Sequence, residues 1–430
     1  MENTVITASK RSPFLLALLA IAFALAWQYS PREPSSFAVT WPPINTNNKP
    51  YFDTQFASNN PVDFVHASSV AQTGGGNLIA AWFAGSREGG RDVTIKSTRF
   101  DASTNKWSEE VILATPWDTQ VATKRWVKKL GNPVITLAPN GRLWLFYVSV
   151  AAGGWAASAI NTMHSDDLGN SWSQPRRLIT TPFVNISTLV KAAPIYYQDG
   201  TMALPVYHEF MGKFAEILHI DQQGNVLNKI RITHKKYSLQ PVLLPSIGKQ
   251  PTLALMRNAG SDKMLLASIS DDGGQSWQAS YRQSIANPNS ALAAIRRSDD
   301  SLIAILNNTK DGRHQLALAY STDNGNNWII LTMLEQHGFG RRPKQQYLPI
   351  LEKDFFASSN VTSKKEAAAV WPIFFNNIDV RMCKELGCKF SYDYPYMIKG
   401  KNGIYHLVYS WNKSFIKHVS FNDAWLEQQL

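Results

Sequence analysis

The stretch SDDLGNSW at residues 165–172 decides the fold, because it returns twice further along the chain. It recurs as SDDGGQSW at 270–277 and, in a looser form, as STDNGNNW at 321–328. In each copy an aspartate can accept backbone N–H bonds, a glycine can adopt a positive φ and the tryptophan can pack between sheets. The aspartates are Asp167, Asp272 and Asp323. We expect all three to hold turns rather than to carry chemistry.

The spacing of the copies predicts the architecture. Trp172 and Trp277 are separated by about two units of fifty residues, and Trp328 follows one unit later. Weaker copies stand at 100–107 (FDASTNKW) and 219–225 (HIDQQGN). Periods of 40 to 50 residues with about four strands each are typical of propeller blades. We count six blades, the last formed by residues 394–423.

The segments between these turns read as strands. Short apolar or alternating runs such as NLIAAWFA, RLWLFYVSV and QLALAYS recur, and no long amphipathic helix is evident. The chain is therefore predicted to be an all-β, six-bladed propeller over residues 51–430. Residues 352–391 interrupt the pattern and form an insertion, which either covers a site, contacts a partner or membrane, or is a decorative loop.

The N-terminus predicts export. Lys10 and Arg11 precede an apolar run from Phe14 to Trp27, so residues 1–30 form either a cleaved signal peptide or a retained signal anchor. We expect a periplasmic or extracellular protein, attached to the membrane where the anchor is kept. Residues 31–50, rich in proline and polar residues, are predicted to be a linker.

Composition limits the partners. The formal charge of +11 favours anionic partners, but the basic residues are scattered and no nucleic-acid motif is present. No DxDxDG-type loop is present either, and no cofactor or metal is predicted. In an exported chain Cys383 and Cys388 can close a small disulfide loop, whereas two thiolates without a histidine pair make only half a zinc site.

Beyond the repeated turns, the chain resembles the bacterial BNR-repeat proteins of the sialidase superfamily over residues 60–351 and 392–425. In that superfamily the repeated turn is the Asp box, which lies away from the active face. The resemblance implies a sialidase-like propeller with an active site on its opposite face.

The resemblance implies specific residues in the first blade. In FVHASSVAQTGGGNLIAAWFAGSREGGRD, His66 stands where a sialidase has its first arginine, and Arg87 and Asp92 follow at about the expected places. Sialidases hold the substrate carboxylate with three arginines, whose planar guanidinium suits two parallel bonds. Because histidine donates one bond and is charged only when protonated, the arginine triad is incomplete.

The remaining positions follow from later motifs. LQPVLLPSIGKQPTLALMRN places Arg257 at the second arginine and Gln240 where a glutamate would act as base towards a tyrosine nucleophile. Gln240 cannot accept that proton. Arg313 in KDGRHQLALAYS is the candidate third arginine, with a charged turn residue as the alternative. Tyr394 in YDYPYMIKG is the candidate nucleophile, with core packing as the alternative.

Other polar residues fall where strands should reach the active face. The strand MALPVYHE ends on His208 and Glu209, and Asn289 lies in NPNSA. We expect these residues to bind sugar hydroxyls or to supply proton transfer. Residues with the same expected placement are Glu88, Asn132, Lys191 and Asn287.

Three hypotheses follow. The first is an exo-glycosidase of sialidase type acting on a carboxylated glycan, with Asp92 as acid/base and Tyr394 as nucleophile. The second is cleavage of a uronate-linked glycan with His66 as acid/base. The third is a non-catalytic, membrane-tethered propeller that binds an acidic polysaccharide or a protein partner.

Overall fold

The computed structural model describes residues 12–28, 36–38, 42–181, 185–234, 237–246, 250–358 and 364–430. The chain divides into two units, Met1–Pro34 and Ser35–Leu430. The first unit contains helix α1 (Ser12–Gln28), which falls within the predicted export segment. Among the described residues, no helix combines the length and the apolar character needed to cross a bilayer.

The second unit is the predicted six-bladed β-propeller. Its first strand is β1 (Phe52–Phe56). Blade 1 contains β2 (Phe64–Gly74), β3 (Asn77–Gly85), β4 (Thr94–Asp101), β5 (Lys106–Trp107) and β6 (Val111–Ala114), and helix α2 (Pro116–Thr123) follows it. Blade 2 contains β7 (Lys129–Leu137), β8 (Leu143–Val150), β9 (Ser158–Ser165) and β10 (Arg176–Arg177). Blade 3 contains β11 (Leu189–Val190), β12 (Ile195–Tyr196), β13 (Met202–His208), β14 (Phe214–Ile220) and β15 (Val226–Arg231).

The remaining elements complete the ring. Blade 4 contains β16 (Ser238–Leu244), β17 (Thr252–Asn258), β18 (Met264–Ser270) and β19 (Tyr281–Ala286). Blade 5 contains β20 (Ala293–Arg296), β21 (Leu302–Leu306), β22 (Gln315–Ser321) and β23 (Ile329–Gln336). Helices α3 (Lys344–Ser358) and α4 (Lys364–Met382) and the hairpin β24 (Cys383–Lys384) and β25 (Gly387–Cys388) come next. Blade 6 contains β26 (Tyr392–Lys399), β27 (Tyr405–Trp411) and β28 (Phe415–Phe421), and helix α5 (Asp423–Glu427) ends the chain.

Blade 6 is closed by the N-terminal strand. Strand β1 pairs antiparallel with β28, from Phe52 opposite Phe421 to Phe56 opposite Lys417. The outer strand of the last blade therefore comes from the start of the propeller sequence. This pairing closes the ring and covers the outer edge of β28, which would otherwise present unpaired backbone groups.

The repeated turns lie where the sequence places them, between the third and fourth strands of blades 2, 4 and 5. In each turn one aspartate oxygen accepts the backbone N–H four residues later at 2.9 Å. In the first turn, hydrogen bonds from Ser165 and Ser171 hold the pKa of Asp167 well below its usual range. Because neighbouring strands are antiparallel, these turns lie at the end of each blade opposite the start of its first strand. The aspartates are structural, as expected.

The predicted linker is packed against the propeller where it is described. The ring of Phe37 stacks on Tyr197 of blade 3 at 4.7 Å between centroids. Further along, Ile44 donates its N–H to Ser298, and Asn45 donates its N–H to Asp423 at 3.1 Å. Residues 36–38 and 42–50 therefore run from blade 3 past blade 5 to blade 6 as an ordered strap.

The insertion is largely helical, which the sequence analysis did not predict. Helix α3 buries Tyr347, Leu351 and Phe355, and helix α4 buries Phe374, Ile378 and Met382, each set spaced by four residues. A proline inside each helix, Pro349 and Pro372, obscured this spacing, because proline is strongly unfavourable in a helix interior. The predicted disulfide between Cys383 and Cys388 is formed and closes the hairpin that follows.

The buried pair His406 and His418 makes stability depend on pH. Their ring nitrogens lie 3.1 Å apart on adjoining strands of blade 6. Burial lowers the pKa of His406 to about 4, whereas an unfolded histidine titrates near 6.5. The folded state therefore binds fewer protons than the unfolded state between these values, and stability falls as the pH falls through this window.

We expect His406→Gln, which cannot titrate, to remove about 2 kcal/mol of the loss in unfolding free energy between pH 7.5 and pH 5. Urea denaturation at the two pH values measures this loss. The control is His234→Gln, at an exposed histidine, which should keep the pH dependence of the native protein. An unchanged dependence in His406→Gln would exclude His406 as its source.

Candidate active site

All six blades contribute residues to one cavity of about 640 Å³. Among the residues that line it are His66, Asn132, Glu209, Arg257, Arg313 and Tyr394, one from each blade. Only a position on the propeller axis is adjacent to all six blades, so the cavity lies at one axial end. The predicted substrate-binding residues Glu209, Arg257 and Arg313 and the predicted catalytic residues His66 and Tyr394 are brought together here.

A repeated backbone irregularity positions the inner residues. Asn132, Gln240 and Tyr394 have positive φ values of 46°, 49° and 57°, and each precedes a proline. At each of them the register of the first strand in its blade shifts by a β-bulge. Proline has no N–H to donate to the neighbouring strand, so it is found at β-bulges. The residue before it, with its positive φ, leaves the regular alternation of side chains along the strand. The recurring Xaa-Pro in GNPVI, LQPVL and DYPYM is the sequence signal for these positions.

Hydrogen bonds join side chains across blades 2 to 5. The Tyr207 hydroxyl accepts from Asn132 at 3.1 Å and from Gln240 at 3.3 Å. Arg257 in turn donates Nη1 to Gln240 Oε1 at 3.2 Å and Nε to Asn289 Oδ1 at 2.7 Å. Gln240 and Asn289 therefore orient Arg257 instead of lining the cavity themselves. Both of these partners are neutral amides, so they leave the guanidinium charge uncompensated.

Arg313 lies beside Arg257 but pairs with a carboxylate. It donates Nη2 to the backbone oxygen of Asn289 at 3.1 Å and Nη1 to Asp393 Oδ1 at 2.5 Å. Asp393 is 1% exposed and also accepts from the Ser391 hydroxyl at 2.6 Å. Burial alone would raise the pKa of Asp393, but the positive charge of Arg313 contributes to holding it well below its usual range.

Asp393 is a cavity residue that the sequence analysis missed. Neighbouring residues of a regular strand point to opposite faces, so a strand that presents Tyr394 to the site would turn Asp393 away from it. The bulge between Asp393 and Tyr396 breaks this alternation, and both residues line the cavity. The adjacent Tyr-Pro pair was the available signal for the bulge.

Tyr394 packs edge-on against His66, with 4.5 Å between ring centroids. His66 also contacts the rings of Phe64 and Phe83 and is only 3% exposed. Burial lowers the pKa of His66 to about 4. The imidazole is therefore neutral at pH 7 and cannot replace the positive charge of an arginine.

Lys191 also lies buried near Tyr394. Its ammonium group is 5.6 Å from the centre of the Tyr394 ring and 5.1 Å from that of Tyr396. Its Nζ also approaches the backbone oxygens of Ser68 and Pro395 at 3.5 Å. Burial lowers the pKa of Lys191 to about 7, so the amine exchanges a proton near neutral pH.

The first-blade loop is placed differently from the sequence expectation. Arg87 and Asp92 are exposed and lie outside the set of residues that lines the cavity. Asp92 instead accepts from the backbone N–H of Ser86 at 2.7 Å and from its hydroxyl at 2.9 Å, which holds the loop turn. The carboxylate of this loop that lines the cavity belongs to Glu88.

His208 also lies outside the cavity lining. Its ring stacks on Phe214 at 4.5 Å between centroids, and its Nε2 accepts the N–H of Met211 at 3.0 Å. Burial lowers its pKa to about 4. His208 therefore packs against its own hairpin, while the adjacent Glu209 reaches the cavity.

The cavity carries a surplus of positive charge. Its basic residues are Arg257, Arg313, Arg341, Lys389 and Lys413, and its acidic residues are Glu88, Glu209 and Asp393. In the described part of the chain, Glu335, His337 and Asp354 lie close enough together to hold a metal ion. None of these three residues lines the cavity. There Glu335 already accepts bonds from Tyr409 and Lys417, at 2.5 and 2.6 Å.

A six-bladed propeller with this axial site has the fold of the sialidase-like proteins. The chain belongs to the BNR repeat-like domain family, whose sequence pattern matches residues 76–407. No curated protein sequence matches the chain.

Solved structures support the same fold. A Hadza microbial sialidase is 14% identical with a TM-score of 0.57, and the match covers 83% of this chain and 65% of that one. The intramolecular trans-sialidase from Ruminococcus gnavus is 11% identical with a TM-score of 0.58, over 86% of this chain and 96% of that one. A protein of unknown function from Dyadobacter fermentans is 12% identical with a TM-score of 0.60, and the match covers 86% of this chain and 98% of that one. At these identities the likeness establishes the fold alone.

Replacing Asp393 by Asn should destabilise the protein. The change leaves the partly buried Arg313 without its charge partner, and breaking such a pair costs about 3 kcal/mol of unfolding free energy. Chemical denaturation measures the loss. The matched control is Asp166→Asn, which breaks the surface pair with Arg142 and should leave stability almost unchanged. Equal effects of the two variants would contradict a buried, stabilising role for Asp393.

Proposed function

We propose that the protein cleaves the glycosidic bond of a carboxylated sugar, a sialic or uronic acid, bound in the axial cavity. The observation that carries this proposal is the convergence of Arg257, Arg313 and Tyr394 in one positively charged cavity. The sialidase-like fold supports it.

Arg257 is the main anchor for the substrate carboxylate. Its orientation is fixed by bonds to Gln240 and Asn289, which are uncharged, so the guanidinium keeps its full attraction for an anion. Arg313 lies across Asn289 from it and supplies further donors, although Asp393 offsets its charge. Two guanidinium groups thus take the place of the three that the resemblance implies.

Tyr394 is the nucleophile. Its oxygen attacks the anomeric carbon while the glycosidic C–O bond breaks, and the leaving oxygen takes a proton from the carboxylic acid of Glu88, the carboxyl group of the 86–92 loop that lines the cavity. Water then attacks the anomeric carbon and gives its proton to the Glu88 carboxylate, while the glycosyl–tyrosine bond breaks and the phenolate takes its proton back from Lys191. A neutral phenol approaches a carbon beside a carboxylate without charge repulsion, which is why sialidases depart from the two-carboxylate pattern.

Lys191 compensates for Gln240 at the base position. Gln240 cannot accept the phenolic proton, whereas the buried amine of Lys191 has a pKa of about 7 and lies on the same tyrosine. A general base acts within hydrogen-bond reach or through one water. Once protonated, the ammonium also stabilises the negative charge that develops on the phenol.

A second candidate reaction is elimination at a uronate-linked glycan. The contact between the neutral His66 and Tyr394 favours it, because a neutral imidazole and a phenol can exchange a proton at a sugar ring. It yields an unsaturated uronate, whereas hydrolysis yields a saturated sugar, so the product distinguishes the two reactions.

The first test is the product itself. We expect a propeller starting near residue 36 to release free sialic acid from 3′-sialyllactose, or free uronic acid from uronate-linked oligosaccharides, as measured by mass spectrometry. Tyr394→Phe should lower kcat by at least about 10³-fold, because it removes one member of a catalytic unit. The matched control is Tyr237→Phe at an exposed tyrosine, which should retain activity. Intact glycans throughout would leave a binding propeller as the function.

The second test concerns Lys191. If the neutral amine is the base, kcat of the native protein should rise with pH through about 7 as Lys191 loses its proton. We expect Lys191→Met to lower kcat about 10²-fold and to abolish this limb of the pH profile. The exposed Lys106→Met is the control. A lower kcat with the same pH profile would indicate a purely structural role.

A further inference from the structure

The blade 5–6 side of the cavity carries a group of cations that the proposed reaction does not use. Arg341 precedes helix α3, Lys389 follows the disulfide hairpin and Lys413 lies in the turn between β27 and β28. All three line the cavity that also contains Arg257. We call these three residues the basic rim.

The basic rim is electrostatically unfavourable by itself. Partial burial, and then the charge of Lys413, lower the pKa of Lys389, and Arg341 and Arg313 act in the same direction, against the opposing charge of Asp393. Like charges held together cost stability unless a counter-charge is supplied. The described acidic residues of the cavity do not supply it in full, since Asp393 is engaged with Arg313 and Glu88 and Glu209 come from blades 1 and 3.

The fold nevertheless holds the Arg341 guanidinium and the backbone of Lys413 in place. Arg341 donates Nη1 to the Gly387 oxygen at 2.6 Å, within the hairpin that the disulfide closes. Lys413 has a positive φ of 55°, and its backbone oxygen accepts the N–H of Val65 at 3.1 Å, next to His66. A guanidinium that is held in this way loses little conformational entropy when an anion binds.

An aromatic surface adjoins the basic rim. Phe339 also lines the cavity, is 70% exposed and contacts the His314 ring edge-on at 5.5 Å between centroids. Aromatic side chains commonly line ligand pockets, and the exposed ring of Phe339 is accessible to a ligand in this cavity. Its flat face can pack against the apolar face of a sugar ring.

We propose that the basic rim binds a second anionic group, a sulfate or carboxylate on the sugar next to the one held by Arg257, while Phe339 packs against that sugar. The preferred ligand is therefore a polyanionic glycan chain rather than a glycan with a single acidic sugar. This inference rests on the proposed function, because it places the first carboxylate at Arg257.

The test compares ligands that differ by one sulfate. Calorimetry would measure the Kd of 3′-sialyllactose with and without a sulfate on its galactose, and of a glucuronic acid–N-acetylhexosamine disaccharide with and without a 6-sulfate on the hexosamine. We expect the native protein to bind the sulfated member of at least one pair about tenfold more tightly. The preference should decrease as salt is added.

Variants of the basic rim show which residues cause the preference for the sulfated ligand. The double variant Lys389→Gln with Lys413→Gln should reduce the tenfold preference to nearly none, and Lys389→Arg, which keeps the charge, should retain it. The control is Lys384→Gln, an exposed lysine of the same hairpin outside this cavity, which should behave as the native protein does. Thermal melting confirms that each variant is folded.

The outcomes separate the two proposals. Equal binding of sulfated and unsulfated ligands, or a preference that survives the double variant, would overturn the basic rim and leave the proposed function intact. Failure of the native protein to bind either member of either pair would overturn both. A sulfate preference that only the double variant loses supports the basic rim, whether or not any glycan is cleaved.

Discussion

The pairing of β1 with β28 is the constraint on which the site depends. Five residues at the start of the propeller, Phe52 to Phe56, form the outer strand of the last blade. The pairing therefore holds blade 6, with Asp393, Tyr394 and Lys413, against blade 1, with His66. The backbone bond from Val65 to Lys413 and the ring contact of His66 with Tyr394 cross this same junction. A cavity lined by all six blades exists only while this ring is closed.

Within the closed ring, local backbone strain positions the chemistry. A non-glycine residue with positive φ is uncommon and persists only where its surroundings hold it in place. Here the left-handed residues Asn132, Gln240 and Tyr394 repeat at the same point of three inner strands. Hydrogen bonds to Tyr207 hold the first two, and packing against His66 holds the third. The regular part of each inner strand builds the blade, and the β-bulge within it presents the side chains of the site.

The sequence could predict the features that depend on local chemistry, but not those that depend on strand irregularities and loop geometry. The repeated turns depend on local chemistry, since an aspartate binds a backbone N–H four residues away. Their spacing, with two weaker copies and the last segment at 394–423, therefore predicted six blades. Arg257, Arg313 and Tyr394 could be placed from their motifs. Asp393 could not, because strand alternation points it away, and the loop of Asp92 was misplaced because its Ser86 bonds depend on loop geometry. The helices of the insertion were hidden by internal prolines.

His66 in place of an arginine and Gln240 in place of a glutamate change the charge of the site in opposite directions. Compared with the sialidase pattern, His66 removes one positive charge, since its imidazole is neutral, and Gln240 removes one negative charge. These two replacements therefore cancel in net charge, while the local pairing changes. A glutamate at position 240 would form an ion pair with Arg257, whereas the amide orients the guanidinium without neutralising it. The arginine that is lost at position 66 is thus accompanied by the loss of the carboxylate that would pair with Arg257, so the two replacements act on the charge of the site in opposite directions.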